Sequence, residues 1–156
     1  MATGDIKWFH QAVLDLGNKI HNLGADALQL GIITNAVPPT MATAAPHWGG
    51  TGTTNFATNQ VGIGGGYTGP IALAGVSWSN VAGVPTLRST DIVIPQNAAG
   101  FTNGAYGIIF NTTDANKRAI GFIELSAAGA MSIVSGSFTI DFQGAAGTDV
   151  MRITLI

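Results

Sequence analysis

The sequence predicts a mainly β fold, a jelly-roll-like antiparallel β-sandwich preceded by one N-terminal amphipathic helix. Three observations lead there. From residue 60 onward, short apolar runs recur between turn residues at the spacing of sandwich strands. Before residue 24 the apolar period is three to four, the period of a helix. Glycine supplies 22 of the 156 residues and cysteine none, so the chain is rich in tight-turn positions and has no disulfide framework. The length is that of one domain.

The helix is expected over residues 5–23. Ile6, Phe9, Val13, Leu16, Ile20 and Leu23 stand three or four apart, while Lys7, Gln11, Asp15, Asn18 and Asn22 fall on the other side. Thr3 or Asp5 can cap its start and Gly24 its end. Gly17 costs about 1 kcal/mol against alanine, so the helix depends on docking. Trp8, beside Phe9, widens the apolar stripe and points to a second contacted surface, a partner subunit included. Residues 1–24 therefore read as a helical arm, and 25–156 as the β domain.

After Gly24 the period changes to two: Leu28, Leu30 and Ile32 mark a strand over 25–34. Residues 35–59 read as a long loop, with Pro38-Pro39, Pro46 and Gly49-Gly50. Ordering such a loop costs roughly 1–2 kcal/mol of backbone entropy per residue, so something must offset it. Its large apolar exception is Trp48, the residue type most enriched at interface hot spots. His47 and Trp48 are thus contact candidates; the competing reading folds Trp48 back as a plug over one end of the sandwich. Further strands are expected over 71–78, 84–87, 91–95, 105–111, 119–125, 130–142 and 150–156. Turns are expected at Gly69-Pro70, Asn103-Gly104, 114–116 and 144–147.

Composition narrows function. Charged residues make up 9%, and six Lys+Arg against eight Asp+Glu leave a net charge of −2. That balance cannot neutralise a phosphate backbone, so nucleic acid is not an expected partner. A neutral, hydroxyl- and amide-rich skin suits a chain packed among neighbours. Asp5, His10, Gln11 and Asp15 interrupt any N-terminal apolar segment, so no signal peptide or membrane partner is expected and the chain is expected to be made in the cytoplasm.

The motifs that carry chemistry are weak. Gly64-Gly65-Gly66-Tyr67-Thr68-Gly69 matches a dinucleotide fingerprint, but Pro70 and a β-run follow where a helix N-terminus is required. His10 and His21, eleven residues apart on one helix, are too distant to share a metal ion, and no metal or other cofactor is expected. There is no cysteine and no nucleophile elbow. The acids Asp26, Asp91, Asp114 and Asp149 sit at turns or strand ends, and Glu124 and Asp141 within strands; all read as outward solubility charges, with a facing Glu124–Asp141 pair as the alternative. Lys117-Arg118 reads as a hairpin tip, and Asn111-Thr112-Thr113 is a glycosylation sequon by pattern only. No catalytic residue is expected.

The strand patterns add a resemblance. Asp26-Ala27-Leu28-Gln29-Leu30-Gly31-Ile32-Ile33-Thr34, after a helix, resembles the acidic-turn-then-strand segment of small tailed-phage virion proteins. Asn59-Gln60-Val61 and Tyr67-Thr68-Gly69-Pro70-Ile71-Ala72-Leu73 are similar to the glycine-rich strand lead-in of the same group. Thr86-Leu87-Arg88-Ser89-Thr90-Asp91-Ile92-Val93-Ile94, Gly107-Ile108-Ile109-Phe110-Asn111 and Gly121-Phe122-Ile123-Glu124-Leu125 match in the same way. So do Gly136-Ser137-Phe138-Thr139-Ile140-Asp141-Phe142 and Arg152-Ile153-Thr154-Leu155-Ile156. The group includes capsid decoration, or cement, proteins of the jelly-roll type.

That resemblance implies a non-enzymatic virion protein on the outer capsid surface, bridging neighbouring subunits of the major capsid protein and stabilising the shell. Weak contacts repeated over a lattice act together, so no single bond need be strong. It implies a homo-oligomer as well, a dimer ahead of a trimer because two-fold contacts are the commonest. The alternative is a tail- or fibre-associated virion protein with a receptor or carbohydrate role. The pattern assigns no functional residue; the interface candidates are Trp8, Phe9, His47 and Trp48.

Overall fold

The computed structural model describes residues 6–126, 131–142 and 151–152. The expected caps Thr3 and Asp5, the turn at 144–147, Asp149 and most of the strand at 150–156 lie outside the described residues. The chain is mainly β, with antiparallel sheets arranged as a sandwich and not as a closed barrel. The largest sheet has five strands: β1 (Ile6–Trp8), β10 (Ala119–Glu124), β9 (Tyr106–Asn111), β2 (Leu28–Ile33) and β5 (Ile71–Ala72), in that spatial order. Beside it are a three-stranded sheet of β12 (Met151–Arg152), β7 (Val84–Arg88) and β6 (Ser77–Val81), and a pair of β11 (Phe138–Ile140) with β8 (Ile92–Ile94).

Register follows from alternation. Leu30 opposes Ile109, and Gly107, two residues back on β9, opposes Ile123, so Leu30, Ile109 and Ile123 share one face. Gly31, Ile108 and Phe122 share the other, with Phe110. Trp8 opposes Gly121 on the first face, and its ring meets that of Trp78 edge-on at 6.2 Å, which puts β6 over that side. The second face is covered by residues 35–59 together with Phe9. Phe9 packs on Phe122 and Phe56, with ring centroids 5.1 and 5.9 Å apart. Both faces of the sheet are therefore dry. All six residues of β10 are buried, Glu124 among them, which corrects the expectation of an outward carboxylate there.

The N-terminal region departs from the expected helical arm. Residues 6–8 form β1, hydrogen-bonded along β10, and α1 runs only over His10–Gly17. Phe9 is its N-cap position, and its backbone N–H donates to the Ile120 carbonyl at 3.0 Å. Starting the helix at residue 10 turns Ala12 and Asp15 inward and leaves Val13 outside. The expected stripe is kept at Phe9 and Leu23, half kept at Leu16 and Ile20, and lost at Val13. An inward aspartate made the buried face unreadable, because a charge in a stripe normally marks the wet side.

Residues 35–59 are also more ordered than a loop. Pro46–His47 (β3) and Thr54–Asn55 (β4) pair in parallel, and a 3-10 turn covers Phe56–Asn59. The Asn55 side-chain oxygen accepts from the backbone N–H of Gly49 and Ala57, at 2.9 and 3.1 Å. The segment is sewn to the hairpin between β9 and β10: His47 bridges Arg118, and the Trp48 N–H donates to the Lys117 carbonyl at 2.9 Å. Gly50 lies so close to Asn116 that a Cβ there would sit 1.9 Å from its carbonyl oxygen. Trp48 lies flat on Phe110, centroids 5.1 Å apart, above Gly31, where a Cβ would be 2.2 Å from the indole. Trp48 thus folds back onto its own domain, but onto the face of the main sheet and not over an open end of the sandwich.

Candidate functional site

Three of the four sequence candidates are internal. Phe9 is fully buried, His47 is buried within β3, and Trp48 is 6% exposed. None of these three offers appreciable surface to a partner. Trp8 is half-buried, and the second surface it contacts is Trp78 of its own chain. The four do not converge on one patch.

Large apolar side chains face solvent singly at Val37, Ile63 and Val93, and next to one another on α1. Leu14 is 62% exposed and Val13 44%, on the side of the helix carrying His10 and Gly17. Met41, 42% exposed, adjoins the start of the helix, where its carbonyl accepts from the His10 N–H at 2.9 Å. No side chain among His10, Val13, Leu14 and Met41 is an acid, a lysine or an arginine. A cluster of large apolar side chains held on a rigid helix marks an interaction site more often than a lone exposed leucine does. Sequence reading missed it because the same Val13 belongs to an apparently buried stripe.

Behind that helix is a buried polar cluster, which the sequence reading also missed. Asp15 on α1 accepts from Gln11 Nε2 at 2.9 Å and faces His21 Nε2 and Arg118 Nε, each 3.8 Å from its Oδ2. Arg118 Nη1 also lies 3.6 Å from Asp114 Oδ1. Asn111, fully buried at the end of β9, donates from Nδ2 to Asp26 Oδ2 at 2.6 Å and approaches His21 Nδ1 at 3.0 Å. Its Oδ1 accepts from the backbone N–H of Thr113 and Asp114. Both ends of the amide are committed inside the protein, so this asparagine presents no acceptor for a glycan. The helix ends at Gly17, so His21 does not continue the helical face of His10 as the spacing suggested. Burial lowers the His21 pKa, opposed by the carboxylates of Asp15, Asp114 and Asp26 and reinforced by Arg118.

A cleft of about 530 Å³ opens beside this cluster, lined by Leu16, Lys19, His21, Asn22, Leu23 and Trp78. A smaller one of about 250 Å³ lies where β10 meets β11, between Glu124 and Asp141. Glu124 Oε2 is buried without a hydrogen bond, and Tyr106, its cross-strand partner, has its pKa raised by burial and by that carboxylate. Among the described residues no three His, Asp or Glu side chains converge as a metal site. No described helix is long and apolar enough to cross a membrane.

The Gly64–Gly66 turn has a structural role. All three glycines have positive φ, and the turn closes through paired hydrogen bonds between Gly64 and Tyr67. This delivers the Tyr67 hydroxyl to the Ile32 backbone N–H, which donates to it at 3.0 Å in the core.

No family model matches the chain, and no curated protein or solved structure is significantly similar to it.

Proposed function

We propose that the chain is a non-enzymatic virion structural protein that binds the outer surface of a tailed-phage capsid and bridges neighbouring capsid subunits. The resemblance of its strand patterns to jelly-roll cement proteins supplies the class. The structural observation that carries it is the α1 face: Leu14 and Val13 exposed on a helix fixed to the sheet by Phe9 and Ala12, with Met41 exposed beside the helix start. A preformed apolar face loses little conformational entropy on docking, so even a small patch repeated over a lattice contributes to holding a shell together. The partner is the major capsid protein, and the site of action is the capsid exterior.

The cleft beside Trp78 favours a second reading, a tail- or fibre-associated protein that binds carbohydrate. An indole next to Asn22 and Lys19 combines a stacking surface with hydrogen-bond donors. Stoichiometry separates the two. On a gel of purified particles, a cement protein stains in proportion to the major capsid protein, whereas a tail component is present in a handful of copies. A ratio far below that of the shell protein overturns the capsid reading.

A further inference from the structure

We propose that His21 and Asn111 form a proton-operated latch that holds residues 15–26 against the hairpin between β9 and β10. The amide of Asn111 is held at both ends. Its Oδ1 accepts from two backbone N–H groups, those of Thr113 and Asp114, at 2.9 and 3.2 Å. Its Nδ2 faces the Asp26 carboxylate, which is itself held by the Asn22 N–H at 2.8 Å. Flipping the amide would oppose two N–H groups to the Oδ1 site's replacement NH₂ and set an oxygen against a carboxylate, so its orientation is fixed. One Nδ2 hydrogen goes to Asp26 and the other to His21 Nδ1.

His21 Nδ1 must therefore accept. That assigns the neutral ring with its proton on Nε2, which lies 3.8 Å from Asp15 Oδ2 and makes no hydrogen bond. Adding a proton to Nδ1 places an N–H against an N–H in a site where the His21 side chain has no solvent contact. Nothing nearby can turn to receive it, because Asn111 is fixed at both ends. The charged groups facing the ring are Asp15 from α1, Asp26 from the segment before β2, and Asp114 and Arg118 from the hairpin, with Lys19 in the adjoining cleft. The three carboxylates favour the proton; burial and Arg118 oppose it, and burial is the largest influence. The sign follows. The folded ring binds its proton less readily than the unfolded one, whose pKa is 6.5, so stability is full above that value and falls as pH drops through it toward the folded pKa.

What is released is local. The ring and Asp26 tie residues 21–26 to Asn111, and Asp15 ties α1 to Arg118, whereas β2 and β9 keep their own ladder. Acid is thus expected to loosen α1 and the segment after it before the sheet opens.

The test uses the full chain labelled with ¹⁵N. Imidazole spectra between pH 8 and 5 are expected to show neutral His21 as the Nε2–H tautomer, with a pKa below 6.5. Amide exchange in residues 15–26, corrected for its intrinsic pH dependence, is expected to rise about tenfold as His21 titrates, while exchange in β2 stays nearly constant. His21→Gln, whose amide oxygen can accept from Asn111 without titrating, is expected to abolish the step. An Nδ1–H tautomer, a charged His21 at neutral pH, or the same step in the variant overturns the proposal. If the variant does not fold, the wild-type exchange step must still coincide with the titration of His21 itself; a step set by His10 or His47 overturns it equally.

Discussion

Trp48 shows what one side chain does here: it closes the second face of the main sheet by lying on Phe110 above a glycine that leaves room for it. Trp48→Ala removes that cover. Truncating a buried aromatic of this size costs about 3–5 kcal/mol. A large drop in melting temperature is expected, with particle occupancy unchanged at temperatures where the variant remains folded. Lost occupancy at an unchanged melting temperature would return Trp48 to the interface. Tyr67 makes a second prediction at this scale. Burial pushes its pKa up to about 12, against an ordinary value of 10, with the Ile32 N–H acting in the opposite direction. The folded state therefore retains the phenolic proton longer than the unfolded state, so stability is complete below pH 10 and declines as pH rises toward 12. Spectrophotometric titration should show one of the two tyrosines ionising only as the protein unfolds. Tyr67→Phe should remove that alkaline dependence while lowering stability at neutral pH by about 1–3 kcal/mol, since the Ile32 N–H loses its acceptor.

At the scale of elements, α1 carries the prediction that bears on the proposed function. Leu14→Asp places a charge on the exposed face and removes no core contact, so the melting temperature should move little, within about 0.5 kcal/mol of stability. Particle occupancy measured by gel should fall severalfold; full occupancy would show that the capsid meets another face. The strands were legible in the sequence because a period of two or an apolar run survives in them: Leu28–Ile33, Tyr106–Asn111 and Ala119–Glu124 all fall within the expected segments. Residues 35–59 were not, since two-residue strands such as Pro46–His47 have no period, and their order comes from distant Asn116, Lys117 and Arg118. The helix was found but its face was not. Asp15 and His21 look like surface residues until the hairpin brings Arg118 and Asn111 to them across ninety or more positions. Of the interface candidates, sequence recognised aromatic residues of the kind interfaces use, but burial in the chain's own core calls on the same residues.

For the molecule as a whole, the open question is how its edges are covered. Among the described residues β6 pairs only with β7, and Ser77–Val81 carries no charge and no proline on its outer side. Lysine, proline and bulges are the usual guards of such an edge. An edge without them suits closed pairing with a second copy, and we expect a homo-oligomer on the particle, a dimer ahead of a trimer. Zero-length cross-linking on intact particles should yield a discrete species of two or three copies. A particle map in which every copy stands apart from its siblings would end this expectation.

The order of strands in the main sheet also fixes when the protein can fold during synthesis. Among the described residues β1 pairs only with β10, and β2 lies between β9 and β5, so the first thirty residues wait for Tyr106–Asn111 and Ala119–Glu124. At about 5–20 residues per second, the early chain spends several seconds outside the ribosome with Phe9, Leu28, Leu30 and Ile32 uncovered. Sheets closed by such distant partners form slowly even once complete. Nascent chains stalled before residue 119 should remain protease-sensitive throughout, and protection should arise only after β10 has cleared the exit tunnel.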